Sequence, residues 1–267
     1  MSINAGLNNI VISDYTENKK IKLLNFEQNG VQCVLLTALY ASGSKEKEVI
    51  SVNGKRDGVY KEWYESGNIK QEAYFTNDVV NGAATTFYAS GSKEMEVISV
   101  NGKRDGVYKE WYESGQIRLE ANYKKDKLEG LLIEWYESGQ KEKEVNYKNG
   151  KLDGVYKEWY ESGQKILEMN FRNGKEEGLY IGWYENGNKR REVNFRNGKK
   201  EGLYIGWYEN GNKRQEVNFR NGKKEGLAIG WYENGNKKQK ANYKKDKLEG
   251  LCIVWDENSN IINCLAI

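Results

Sequence analysis

Apolar and polar positions alternate in short runs that recur every 24 residues. In residues 179–202 (LYIGWYENGNKRREVNFRNGKKEG), Leu179, Ile181 and Trp183 stand at alternate positions before Asn186-Gly187, and Val193 and Phe195 alternate before Asn197-Gly198. Period-two alternation bounded by Asn-Gly predicts two antiparallel strands per unit, because Asn and Gly tolerate the positive φ that a type I′ turn needs. Helix is disfavoured: the runs between turns are short and rich in Tyr, Trp, Val and Phe. With Asn186-Gly187 as a two-residue loop, Tyr184 faces Lys189 and Tyr180 faces Val193. That register puts Tyr180, Tyr184, Val193 and Phe195 on one face and Leu179, Ile181 and Trp183 on the other. A one-residue bulge in the longer NGKKEG turn would reverse the assignment.

The period is carried by Trp63, Trp111, Trp135, Trp159, Trp183, Trp207, Trp231 and Trp255, with Phe87 in the one gap and Leu39 and Tyr15 extending the register backwards. Tyr follows directly at Tyr40, Tyr64, Tyr88, Tyr112, Tyr136, Tyr160, Tyr184, Tyr208 and Tyr232. Residues 40–67 and 88–115 are identical except that Lys47 becomes Met95, so the array grew by copying. A single unit cannot bury its apolar face, whereas stacked copies share a narrow continuous core. The expected fold is all-β: an elongated, single-layer antiparallel array of β-hairpins forming a twisted meander. Residues 15–255 are expected to form the repeat array as one domain, flanked by an irregular segment at 1–14 and a cap or tail at 256–267.

The unit pattern G-x-Y-x-x-W-Y-x-x-G, followed by a charged stretch, an aromatic and N-G-K-x-x-G, resembles the bacterial variant of the MORN repeat. It is clearest in residues 58–67 (GVYKEWYESG), 154–163 and 178–187. The resemblance implies sheets of successive hairpins that act as protein-interaction scaffolds or membrane-associated modules. It also implies a role among antitoxins or immunity partners of toxins. Residues 15–38 depart from the pattern, and Asn77-Asp78 with residues 79–84 replaces NGKxxG, as caps or decayed copies would.

Composition narrows the chemistry. The chain has 267 residues with no His and no Pro, 29 Gly and 19 Tyr. Without imidazole there is no His zinc ligand and no Ser-His or Cys-His nucleophile system. Cys33, Cys252 and Cys264 form an odd set without CxxC spacing, which reads as reduced thiols rather than a disulfide or metal framework. No signal peptide or membrane span is visible, so the cytoplasm is the expected compartment. Glutamates recur at Glu48, Glu72, Glu96, Glu120, Glu144, Glu168, Glu192 and Glu216. A catalytic carboxylate pair needs two unlike environments, and translational copies supply one environment repeatedly, so these read as partners of Lys and Arg on neighbouring strands. The NGKxxG segments lack the following helix of a phosphate loop and read as turns.

The net charge is only +3, yet the units from Trp183 to Val254 are markedly basic and the remainder is net acidic. Lys189, Arg190, Arg191, Arg196, Lys199, Lys200, Lys213, Arg214, Arg220, Lys223 and Lys224 form a regularly spaced ladder, the candidate binding residues of the chain. Glu185, Glu192 and Glu201 interrupt it, which favours an acidic protein surface over nucleic acid, whose phosphate-tracking grooves avoid such acids. No catalytic residue, metal site, cofactor or small-molecule substrate is expected. The reading is a non-enzymatic, protein-binding repeat protein; the resemblance makes it an antitoxin or immunity protein whose partner is a toxin. The alternative is a scaffold that binds an anionic membrane surface through the basic C-terminal repeats.

Overall fold

A computed structural model describes residues 10–11, 15–16 and 19–266. Among them every regular element is a β-strand, and the pairings are antiparallel. The residues fall into two compact units, one ending at Glu129 and the other beginning at Gly130. Within each unit, successive strands lie side by side as a meander, as the alternation predicts. Lys213–Arg220, for example, pairs with Lys199–Trp207 on one side and Lys223–Trp231 on the other.

Two kinds of turn alternate. The tight one is Asn197-Gly198, with φ of 52° and 77°, closing between paired Arg196 and Lys199. Both central residues are left-handed, the type I′ geometry whose twist matches that of the flanking strands. Where the Asn-Gly pair is lost the geometry persists: Asn77-Asp78, Lys125-Asp126 and Lys245-Asp246 all keep positive φ. At Lys125 and Lys245, register along the sheet rather than local preference holds this conformation, whereas Asn and Asp tolerate it on their own. The Asp126 N–H donates to the Arg104 carbonyl (2.9 Å) just as the Gly102 N–H donates to Val80 (2.9 Å), tying each turn to the preceding repeat.

The other turn corrects the expected register. Asn186-Gly187 is not a two-residue type I′ loop: Trp183, not Tyr184, lies opposite Lys189, after a one-residue shift at Gly182. The Gly187 N–H donates to the Tyr184 carbonyl (3.0 Å), and only Gly187 of the pair has positive φ, 86°. A β-turn over residues 184–187 followed by a left-handed glycine is the longer, bulged hairpin loop. Tyr184 thus sits in the turn instead of on the face with Tyr180.

The remaining face assignment survives for a specific reason. Tyr180 pairs with Val193, as expected. On the other side of that strand Glu192 pairs with Ile205 and Asn194 with Glu201, so the returning strand carries two extra residues. An even insertion preserves the alternation of faces; a single one would have reversed it. The repeat-closing glycine lies at this bulge. Gly106 has φ of 134°, and a Cβ there would sit 3.1 Å from Cβ of Ile98, so a side chain is excluded both by conformation and by space.

Each unit's core is one side chain thick and lies on what we term the tyrosine face. Up to Glu129, Ala73, Phe75 and Ala84 are buried against Tyr60, Val80 and Val97. From Gly130, Met169, Tyr180, Val193 and Tyr204 are buried against Phe171, Phe195 and Phe219. Edge-to-face pairs recur, such as Tyr60 with Phe75 (5.6 Å between centroids) and Tyr180 with Phe195 (6.3 Å), each contributing about 0.5–1.5 kcal/mol beyond area burial.

Candidate functional site

The opposite, tryptophan face is built from one motif copied along the strands. Among the described residues, in six copies a lysine stacks over the indole of the following repeat and reaches a glutamate on its own strand, and Ile69 and Ile117 take the lysine's place in two others. Lys165 Nζ is 5.7 Å from the Trp183 ring and 2.7 Å from Glu168; Lys189 is 5.8 Å from Trp207 and 2.7 Å from Glu192. All eight periodic glutamates have lysine partners, including Glu72 with Lys61 (2.6 Å), Glu120 with Lys109 (3.5 Å) and Glu144 with Lys141 (2.7 Å). The periodic carboxylates do pair with lysines, but the expected partners on neighbouring strands are found for Glu72, Glu120 and Glu144 (Lys157, 3.9 Å). Glu48, Glu96, Glu168, Glu192 and Glu216 instead pair with the lysine three residues earlier on their own strand, which the period-two geometry of a strand does not suggest. A tyrosine at the position after the tryptophan register ties its repeat to the next in the units where Tyr40, Tyr64, Tyr88, Tyr136, Tyr160, Tyr184, Tyr208 and Tyr232 stand. The Tyr40 hydroxyl donates to the Trp63 carbonyl (2.7 Å), Tyr184 to Trp207 (2.9 Å) and Tyr232 to Trp255 (2.9 Å). The WY pair is thus a stitch between consecutive repeats.

The structure divides the basic ladder into four sets. Lys189 and Lys213 belong to the tryptophan face, each bound to a glutamate. Arg196, Lys199, Arg220 and Lys223 flank the tight turns and form a rim. Arg191, Lys200 and Lys224 lie on the tyrosine face: Arg191 stacks on Tyr180 (4.6 Å), Lys200 on Tyr204 and Phe219 (5.0 and 5.1 Å), and Lys224 on Tyr243 (4.9 Å). Arg190 and Arg214 occupy the extra position beside Trp183 and Trp207; Arg214 is exposed, whereas Arg190 is half-buried and its Nε is enclosed without a hydrogen-bond partner.

On the tyrosine face a row of positions changes character along the chain. Lys143 lies between Glu134 and Glu158 on the two adjacent strands, with Nζ 2.9 Å from Glu134. Burial works against its charge, but the hydrogen bond and carboxylate of Glu134 outweigh it and raise its pKa. In the same register Glu158 accepts from the Tyr156 hydroxyl, and Glu110 from Tyr108. Burial first and the Glu158 carboxylate second push the Tyr156 phenol upward; burial and Glu62 push Tyr60 to about 12. From Gly182 onward this lining is gone. Gly182, Gly206 and Gly230 replace the glutamates, and Arg191 lies between the first two, with Gln215 and Gln239 following in its row. A groove of about 160 Å³ opens there, lined by Glu176, Tyr180, Arg191, Phe195, Lys200 and Tyr204.

The sequence pattern places these glycines in the repeat without revealing what they replace. The available signal was the register itself, since Glu62, Glu110, Glu134 and Glu158 stand 24 or 48 residues apart in line with them. Among the described residues, no group of three or more Cys, Asp or Glu side chains is arranged to hold a metal ion. Cys33 and Cys252 are buried free thiols, and Cys264 is exposed.

A search of curated proteins finds no match to the chain. The profile of the family described as MORN repeat variant matches seven segments, residues 56–77, 104–125, 128–149, 152–173, 176–197, 200–221 and 224–245. They tile the array at its 24-residue period, with one repeat unmatched between the first two, and cover more than half of the chain. A repeat protein involved in binding is what such units make. The hairpin geometry, the copied WY stitch and the profile agree: this chain belongs to the MORN repeat variant family.

Proposed function

We propose that the protein is a non-enzymatic binding protein of the cytoplasm that neutralises a toxin by direct contact. The observation that carries the binding reading is the contrast between the two faces. The tryptophan face repeats one motif, with each of the eight periodic glutamates paired to a lysine. The tyrosine face changes its polar lining from repeat to repeat. Identical surroundings cannot separate the pKa values of two carboxylates for acid-base work, whereas a varied aromatic and cationic surface is suited to recognising another protein. Toxin neutralisation is the finer step and draws on the likeness of the repeat to those of bacterial immunity proteins. Covering an active site needs only a surface, and no substrate, cofactor or nucleic acid enters this reading.

Co-expression tests it. Producing this chain together with the product of the adjacent gene should protect cells that the product alone kills, and the two should co-purify. Survival unchanged by this chain, with no complex recovered, removes the immunity role. The membrane-scaffold reading is weaker because the ladder is shared among two faces and a rim, which lowers the positive charge that any one flat surface offers to lipid. That reading requires low-salt binding to phosphatidylserine vesicles that is lost when Arg190, Arg191, Arg214 and Lys238 are changed to Glu.

A further inference from the structure

We infer that Arg191 and the groove around it are a receptor for a carboxylate side chain on an acidic segment of a protein partner. The inference rests on the protein-binding reading above and gives that partner a chemistry. Its starting point is the comparison of Arg191 with Lys143, two repeats earlier in the same row. Lys143 has a glutamate on either side and an ion pair of 2.9 Å with one of them. Arg191 has a glycine on either side, Gly182 and Gly206, and among the described residues it makes no ion pair. A cation that elsewhere is neutralised within the sheet is here left with its counter-charge removed.

The guanidinium is nevertheless held in place. Its Nε donates to the Tyr180 hydroxyl at 2.8 Å, and its Cζ lies over the Tyr180 ring, 4.6 Å from the centroid. One donor is thereby used for positioning, and the terminal amino groups, the pair that binds carboxylate in a bidentate fork, remain free for a ligand. Lys200 lines the same groove, steered by the rings of Tyr204 and Phe219. Glycine at 182 and 206 provides the room. A Cβ at Gly182 would lie 3.1 Å from the Tyr180 hydroxyl and 3.3 Å from Cγ of Arg191, and one at Gly206 would lie 3.3 Å from the Tyr204 ring.

Charge selects the kind of anion. Arg191 and Lys200 face one carboxylate, Glu176, across the groove, and the next positions of the row are the neutral amides Gln215 and Gln239. A site with an excess of one positive charge, followed by amide donors and acceptors, takes one carboxylate of an acidic segment and offers hydrogen bonds to the peptide beside it. Polyphosphates and lipid headgroup arrays demand several phosphate-contacting cations in line. The aromatic walls add a surface for the stem of a Glu or Asp side chain and for an adjacent apolar residue.

The test uses the full chain and a fluorescein-labelled oligoglutamate peptide with one central tyrosine, followed by fluorescence anisotropy at low ionic strength. Wild-type protein should bind the peptide. Arg191→Met should weaken binding by about tenfold or more, the loss of one charge-assisted bidentate contact. Gly182→Glu, which restores the carboxylate found at Glu158, should weaken it similarly by satisfying Arg191 from within. Lys189→Met, on the tryptophan face, should leave binding within about twofold of wild type, a change too small to be a lost ion pair. Circular dichroism of each variant verifies the fold, and Arg191→Met, an exposed position, tests the proposal even if Gly182→Glu perturbs the sheet. No binding by wild type, equal binding by Arg191→Met, equal loss in Lys189→Met, or tripolyphosphate competing better than the free peptide would each overturn the assignment. No toxin enters this assay, so failure of protection in cells and failure of carboxylate recognition are separate results.

Discussion

The Tyr60 phenol shows how a single side chain carries the logic of the repeat. It packs edge-to-face on Phe75 and lies near Glu62, and burial and that carboxylate together raise its pKa from about 10 to about 12. Below pH 10 the phenol is protonated in folded and unfolded chains alike, and its full contribution to stability is present. Between about 10 and about 12 the unfolded chain releases a proton that the folded one keeps, so stability must fall as pH rises through that window. Urea unfolding midpoints across pH 9–12 should decline less steeply in Tyr60→Phe than in wild type; parallel declines would show that this phenol does not titrate differently in the two states. None of this was legible from the sequence, which placed Tyr60 on a face but could not say that Glu62, two residues on, shares it closely enough to interact. The opposite case is the WY pair. Its regularity was plain in the sequence, yet its purpose, a hydroxyl donated to the next repeat's carbonyl, appeared only with the strands in register.

Elements were legible wherever local preference and sheet register agree. Alternation gave the strands, and the Asn197-Gly198 class of turn matched its residue chemistry. The Asn186-Gly187 turn departs from expectation because the same dipeptide serves a longer loop there, and only the pairing of Trp183 with Lys189 distinguishes the two. Lys125-Asp126 is the converse: nothing in that dipeptide requests a left-handed turn, but the repeat imposes one, with φ of 50° and 65°. A lysine in that region costs roughly 1 kcal/mol that asparagine largely avoids. Lys125→Asn should therefore stabilise the protein by a few tenths to about 1 kcal/mol in chemical denaturation. Asp126 should be left alone, since its carboxylate accepts the Arg104 backbone N–H at 2.9 Å and its pKa is lowered by that bond. No gain, or a loss, for Lys125→Asn would mean that the lysine side chain contributes contacts that outweigh its backbone conformation.

For the whole molecule, stability is a sum of nearest-neighbour terms, because each strand touches little beyond the strands on either side. Removal of residues 203–226, one complete period, should leave a protein that folds with per-residue circular dichroism close to wild type and a modestly lower midpoint. Removal of residues 203–225 shifts every following residue by one and turns its buried side chains outward, so that variant should lose cooperative unfolding. Equal tolerance of both deletions would contradict the register described here. Fold and family were the most legible features because repetition multiplies a weak signal. The candidate site was the least legible, since it consists of a departure from the repeat, three glycines where glutamates had been.

The paired extra residues on each returning strand have a consequence for how such a chain changes over generations. Because the insertion is even, every unit delivers its odd-numbered and even-numbered side chains to the same two addresses as its predecessor. One address can be held constant as packaging while the other is rewritten, and a copied unit carries its rewritten half into a new place without editing its neighbours. Duplication then does more than lengthen the array: it transplants a tested recognition element, such as an arginine with its glycine flanks, to a new distance from the others.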